Sequence, residues 1–382
     1  MRVFILSLGT RGDVELFLIL GRELARRGHH VRFATSPVYE TRVLAAGLTA
    51  LPFGQATFAQ LQGVLRSLSG LPRKQRADEF FNRWIRPQLA AAVERIRPLS
   101  DEIDFFICNL KLGLQRDGET FPGASITYDP PDSLEVLRGS RSPKHVGRVV
   151  EIVALSKALV DPEGLWGGDY HFTGFWDEAS PTWWQPPADL LRFLRAGSPP
   201  VVLAMGSMVS FDTRRLAAAL DEALRRIDRR AIVVEGWSRF PRTGDSSGRI
   251  YLADEIPYDW LFDKSCGVIH HGGCGTLAAV LRSGKPSILL PQLTCQEHFG
   301  KMLVREKLAV DVLDVESLDV ERLAQALTRA LDDEQIRQSV QAWQTVRRQE
   351  KGVTAAADLI ETHWRELNDC GPRPSSSHVL PR

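Results

Sequence analysis

Cysteine is scarce and scattered: five residues in 382, Cys108, Cys266, Cys274, Cys295 and Cys370, with no Cys-Xaa-Xaa-Cys pair. The odd number and wide spacing argue against a disulfide framework and a zinc site, and suit a reducing cytoplasm. Net charge is almost absent too, with 48 Lys and Arg against 47 Asp and Glu. Without a global positive field, nucleic acid is not an expected partner. Long apolar runs are also missing, since none approaches the roughly 18 residues of a spanning helix. The opening run Val3 to Leu8 stops at Gly9, and Arg11-Gly12-Asp13 follows at once, which is not the pattern of a secretion signal. A soluble cytoplasmic protein is expected.

What is present is the composition of a globular protein, 43% hydrophobic and 25% charged. The length exceeds one ordinary core and predicts two domains. Val3 to Leu8 reads as a buried parallel strand, Val14 to Arg27 as a helix and Val31 to Thr35 as a second strand, a βαβ opening. Between Phe53 and Pro98 the pattern turns helical and irregular. Asp104 to Cys108 and Ala124 to Tyr128 read as further strands, and Pro130 to Lys144 as a loop.

A proline-rich stretch from Pro181 to Pro200 reads as a linker with one short helix, Ala188 to Ala196. Strand-helix alternation then restarts at Val201. The expected division is 1–180, a linker over 181–200, a second α/β unit over 201–354, a C-terminal helix over 355–369 crossing back to the first unit, and a disordered tail over 370–382. Both units are doubly wound, Rossmann-like sheets, with ligands expected at the carboxyl ends of the strands and in the cleft between them.

The stretch with most chemistry runs from Gly267 to Gln296. An apolar strand leads into His270-His271-Gly272-Gly273-Cys274-Gly275-Thr276 and then a helix, so unpaired N–H groups and the helix dipole meet at the mouth of a sheet. A phosphate is the natural guest. Asp13 stands in the corresponding place after the first strand. An N-cap role is the structural alternative for it, as it is for Ser207 in the Met205-Gly206-Ser207 turn.

Five landmarks in order carry a resemblance: Gly9 to Glu15, Thr173-Gly174-Phe175-Trp176, Trp184-Gln185-Pro186-Pro187, Pro257 to Phe262, and His271 to Gln296. From Met1 to about Ile360 the chain resembles the two-domain GT-B glycosyltransferases, specifically bacterial family-1 enzymes of the antibiotic, natural-product and sterol glycosylating kind. The resemblance implies a UDP- or dTDP-sugar donor in the C-terminal half. His271 with the amides of Gly273, Cys274, Gly275 and Thr276 would hold the diphosphate, Ser207 would reach it from the other side, and Glu255 and Ile256 would offer backbone to the base.

It further implies a small hydroxylated acceptor in the N-terminal half, with Asp13 as general base and inversion at the sugar. Arg11, Phe80, Trp84 and Tyr128 are the acceptor-side candidates, although aromatics at helical spacing such as Phe80 and Trp84 also suit a core. Metal independence is implied and agrees with the absence of an Asp-Xaa-Asp motif, so neither a metal nor another cofactor is expected.

Cys295-Gln296 stands where many relatives carry an acid followed by Gln. Either the donor lacks the usual hydroxyls, as a deoxysugar would, or Gln296, Glu297 and His298 read the sugar instead. Rival readings are a GT-B-fold sugar-nucleotide epimerase or hydrolase, and a non-catalytic partner of another transferase. Arg83 to Arg97 leaves contact with an anionic membrane open.

Overall fold

The computed structural model describes residues 1–109, 115–116, 119–120, 122–128, 148–161, 163, 170–177, 184–209, 211–241 and 248–369. The loop expected over 130–144 and the tail expected over 370–382 lie outside the described residues.

Two parallel sheets form. The first has seven strands: β1 (Arg2–Leu6), β2 (His30–Thr35), β3 (Thr49–Pro52), β4 (Phe105–Asn109), β7 (Gly123–Thr127), β8 (Val149–Val153) and β9 (Tyr170–Phe172), in the spatial order β3-β2-β1-β4-β7-β8-β9. A small antiparallel pair, β5 (Gln115–Arg116) and β6 (Glu119–Thr120), stands apart. The second has six strands: β10 (Val201–Ala204), β11 (Ala231–Val234), β12 (Ile250–Ala253), β13 (Gly267–His270), β14 (Ser287–Leu289) and β15 (Asp311–Val312), in the order β12-β11-β10-β13-β14-β15. Val201 to Ala204 are buried throughout, as a parallel strand covered on both faces requires.

The order of each sheet reverses at one point, between β1 and β4 in the first and between β10 and β13 in the second. In open α/β sheets such a point opens a crevice beyond the carboxyl ends of the strands. The turns at Gly9, Gly206 and His271 all leave strands that flank these points.

The stretch after β3, which the sequence leaves irregular, forms the helices Phe58–Ser67 and Arg73–Phe80, a π-helical turn Phe81–Ile85, and the helix Arg86–Ile96. Trp84 and Ile85 point into the first core. The final helix, Val353–Asp369, belongs to that same core through Ala356, Ala357 and Ile360. Arg27 holds it with bonds to Asp358 at 2.7 Å and to Glu361 at 3.2 Å.

The passage between cores is built at Phe175 and Trp176. Phe175 packs in the second core and Trp176 in the first, with the Trp176 indole N–H donating to Thr173 Oγ1 at 2.9 Å. Arg347, its side chain 1% exposed, donates to both Asp177 and Glu350, and its guanidinium lies 5.0 Å from the centre of the Phe175 ring. Glu350 also accepts the Phe175 N–H at 3.2 Å. Arg347→Ala leaves the part-buried Glu350 without its cation and Asp177 with only Arg282 at 4.0 Å, so a loss of about 3–5 kcal/mol is expected in urea unfolding. Arg322→Ala, which breaks an exposed pair with Asp311, is the control and should cost under about 1 kcal/mol.

Candidate active site

The helix Arg11–Arg26 begins one turn earlier than its apolar pattern suggests, because Thr10 is the N-cap and Asp13 the third helical residue. Asp13 is therefore not the N-cap, though it does start the helix: its Oδ2 accepts the Thr10 N–H at 2.6 Å and the Thr10 hydroxyl at 3.1 Å. Its Oδ1 accepts the Tyr128 hydroxyl at 2.7 Å. A Cβ on Gly9 would lie 2.2 Å from Asp13 Oδ2, so the turn before the helix has to be glycine. Tyr39 donates to the Gly9 carbonyl at 3.2 Å, and burial, helped by the Asp13 charge, pushes its phenol well above the ordinary range. The carboxylate is thus aimed by two side chains, Thr10 and Tyr128, together with the Thr10 N–H.

Across the cleft, the helix Cys274–Ser283 has Gly273 as N-cap and no side-chain cap. A Cβ on Gly275 would meet nothing within 4 Å, so the first turn faces open space. His271 is buried beside it, with Nδ1 3.5 Å from the Ala204 carbonyl. Its ring fills a slot between two glycines: a Cβ on Gly273 would lie 2.3 Å from Nε2, and one on Gly206 would lie 2.8 Å from Cε1. Ser207, next in that turn, is buried and does not cap the following helix, whose N-cap is Asp212. His270 is wholly buried, and its Nδ1 accepts the Gly272 N–H at 3.1 Å, which makes it part of the turn's scaffold.

The two halves meet. The helices Arg11–Arg26 and Cys274–Ser283 touch, and Arg11 reaches Glu255 at 2.6 Å, with Arg42 adding a contact at 3.3 Å. Glu255 spends its side chain on this clasp, while Ile256 is buried in the apolar cluster under β12. Thr276 hydrogen-bonds the Tyr258 phenol, which burial pushes above its usual value.

A second clasp uses Arg73 and Arg76. Arg73 pairs with Glu297 at 2.9 Å, and the buried Arg76 pairs with Glu316 and donates to the Gln292 carbonyl at 3.3 Å. This clasp answers part of the question about the sugar. Glu297 is spent on Arg73 and on Lys301, and these two cations hold its carboxyl below the ordinary range. Gln296 accepts the Gln292 and Leu293 N–H groups at 2.8 and 3.2 Å, capping its own helix, Thr294–Arg305. Cys295 stays partly exposed in that first turn.

Trp84 is not a pocket residue: it lies in the first core at 5% exposure, and Phe80 packs against the same core. The helical spacing that made both candidates is the spacing of a core face. The clasping arginines Arg42, Arg73 and Arg76 border the candidate site and escape sequence reasoning, because these partners lie more than two hundred residues away.

Residues 3–95 match the glycosyltransferase family 28 N-terminal domain, and residues 218–351 match the erythromycin biosynthesis protein CIII-like C-terminal domain. The chain belongs to the GT-B glycosyltransferases. A sterol 3-beta-glucosyltransferase of Arabidopsis thaliana is 25% identical over 98% of this chain and 68% of its own length. An O-mycaminosyltylonolide 6-deoxyallosyltransferase of Streptomyces fradiae is 24% identical, over 98% of this chain and all of its own. Among solved structures, the calicheamicin glycosyltransferase CalG4 superposes with a TM-score of 0.69 at 17% identity, covering 97% of this chain and 100% of its own. Among the described residues this glycosyltransferase has no helix long and apolar enough to cross a membrane, and no cluster of His, Cys, Asp and Glu suited to a metal ion.

Burial pushes the His271 imidazole down to about 4, and burial beside His271 pushes His270 down to about 3. Both are neutral when folded, whereas an unfolded chain takes up protons below the ordinary value of 6.5. Stability is therefore expected to fall as pH drops from about 6.5 toward about 4. Imidazole NMR should show the His271 midpoint near about 4, and a midpoint near 6.5 would contradict its burial.

Proposed function

We propose that this glycosyltransferase moves a sugar from a UDP- or dTDP-sugar to a hydroxyl of a small natural-product or sterol-like acceptor, inverting the anomeric centre without a metal. One observation carries the reading: the aimed carboxylate of Asp13 and the start of the Cys274 helix, which lacks a side-chain cap, follow strands at the two switch points, on helices that touch beside the Arg11–Glu255 bridge.

In the proposed step the acceptor oxygen attacks the anomeric carbon, and its proton passes to the Asp13 carboxylate. The bond from that carbon to the diphosphate breaks, and the diphosphate leaves with the electron pair. The amides of Gly273 to Thr276 and the helix dipole meet the charge that develops on it, each well-placed donor contributing about 3 kcal/mol. The Ala204 carbonyl favours a proton on His271 Nδ1, so Nε2 has to gain a proton before it can donate to a phosphate. A deoxysugar donor suits the Cys295 position, since Glu297 and the Gln296 carbonyl oxygen are spent on structure. The 6-deoxyallosyl relative fits the same choice.

The hydrogen bonds to Thr10 favour one rival, in which Asp13 only starts its helix. Asp13→Asn separates the two, because an amide oxygen can still accept from Thr10 but cannot take the acceptor's proton. Transfer is expected to fall at least about a hundredfold with UDP binding and melting temperature nearly unchanged. Full transfer by the variant would remove Asp13 from the chemistry. His271→Ala should weaken UDP binding in calorimetry, and an unchanged affinity would sink the diphosphate assignment.

A further inference from the structure

A cleft of about 820 Å³ opens between the two domains, outside the Asp13 and His271 pair. One wall is the helix Phe58–Ser67 of the first domain, and the other is made by the loops that follow β10 and β11. Phe58 is 42% exposed and meets Trp237 edge to face, with ring centres 5.0 Å apart. Phe211 adds a third aromatic face. Trp237 is anchored beside the His271 slot, for its backbone N–H donates to the Gly206 carbonyl at 3.0 Å, and Gly206 is one side of that slot.

The charges of this cleft do not cancel locally. Asp212 caps the helix Thr213–Arg226, accepting the Arg214 and Arg215 N–H groups at 2.9 and 3.2 Å, and the positive end of that helix dipole offsets part of its charge. Glu316 is spent on Arg76, and Arg239 pairs with Asp254 at 2.6 Å. Two lining cations are left, one on each wall. Among the described residues Arg66 bonds only the neutral Gln62, at 3.4 Å, and Arg215 has no side-chain partner.

The geometry points to an acceptor that is a planar aromatic carboxylic acid. Its ring system would lie against Phe58, Phe211 and Trp237, and its carboxylate would be answered by Arg66 and Arg215, whose planar forks match that group. Aromatic faces hold planar rings at small entropic cost, and a carboxylate entering a cleft needs a cation that is not already neutralised. This assignment of acceptor class rests on the transfer reaction proposed above and makes Arg66 and Arg215 specificity residues.

The test uses hydroxynaphthoate and naphthol, an acid and its neutral counterpart, bound to the full chain and followed by tryptophan fluorescence. Hydroxynaphthoate should bind at least about tenfold more tightly than naphthol. The double variant Arg66→Gln, Arg215→Gln should erase that preference, with naphthol and UDP affinities kept, and Trp237→Leu should weaken both aromatic ligands. Equal affinities in the parent protein, or a preference that survives the double variant, overturns the inference. Displacement of hydroxynaphthoate by UDP assigns the cleft to the nucleotide and overturns it as well. With a nucleotide-sugar present, glycosylation of naphthol but not of bound hydroxynaphthoate would refute the acceptor role. If neither is glycosylated with any donor while the charge preference and its loss hold, the transfer reaction fails and the ligand class of the cleft stands.

Discussion

A single buried guanidinium, Arg347, holds the place where the chain passes from one core to the other. It ties Asp177, just past the first sheet, to Glu350, just before the helix that returns to that sheet, and it covers Phe175 between them. Two carboxylates and a cation inside a protein are costly to desolvate, and good geometry offsets that cost only while all partners are present. The relation between the sheets depends on this point, and the cleft depends on that relation. Arg11, Arg42, Arg73 and Arg76 then reach across the cleft to acids on the opposite side.

The chemistry is set at the ends of parallel strands, where three glycine turns do two kinds of work. At Gly9 the missing side chain lets a carboxylate fold back onto its own helix start. At Gly206 and Gly273 it lets an imidazole lie flat against backbone. The first arrangement orients a carboxylate, and the second keeps a histidine buried and neutral beside a helix terminus that has no side-chain cap. Neither depends on a long loop, so both sites inherit the rigidity of the sheets.

Much of this was legible in the chain. Buried parallel strands read as unbroken apolar runs, so β1, β10, β11 and β13 lie close to where the pattern puts them. The glycine turns are legible for a related reason, since close backbone approach excludes other residues. The short strands β3, β9 and β15 were not read, because a strand of two to four residues carries too little periodicity to stand out. Trp84 was ambiguous for the opposite reason: helical spacing identifies a buried face but not whether protein or ligand covers it.

By itself the sequence determined the strand-helix order, the turns that must be glycine, the carboxylate after β1 and the phosphate-ready helix start after β13. These are local properties, written within a few residues of one another. Only the tertiary structure decided that Glu255 and Glu297 would serve as clasps, that Gln296 would cap its own helix, and that Arg66 and Arg215 would face one cleft outside any ion pair among the described residues. Ion pairing and enclosure belong to residues brought together from distant parts of the chain, and no local spacing records which partners they will meet.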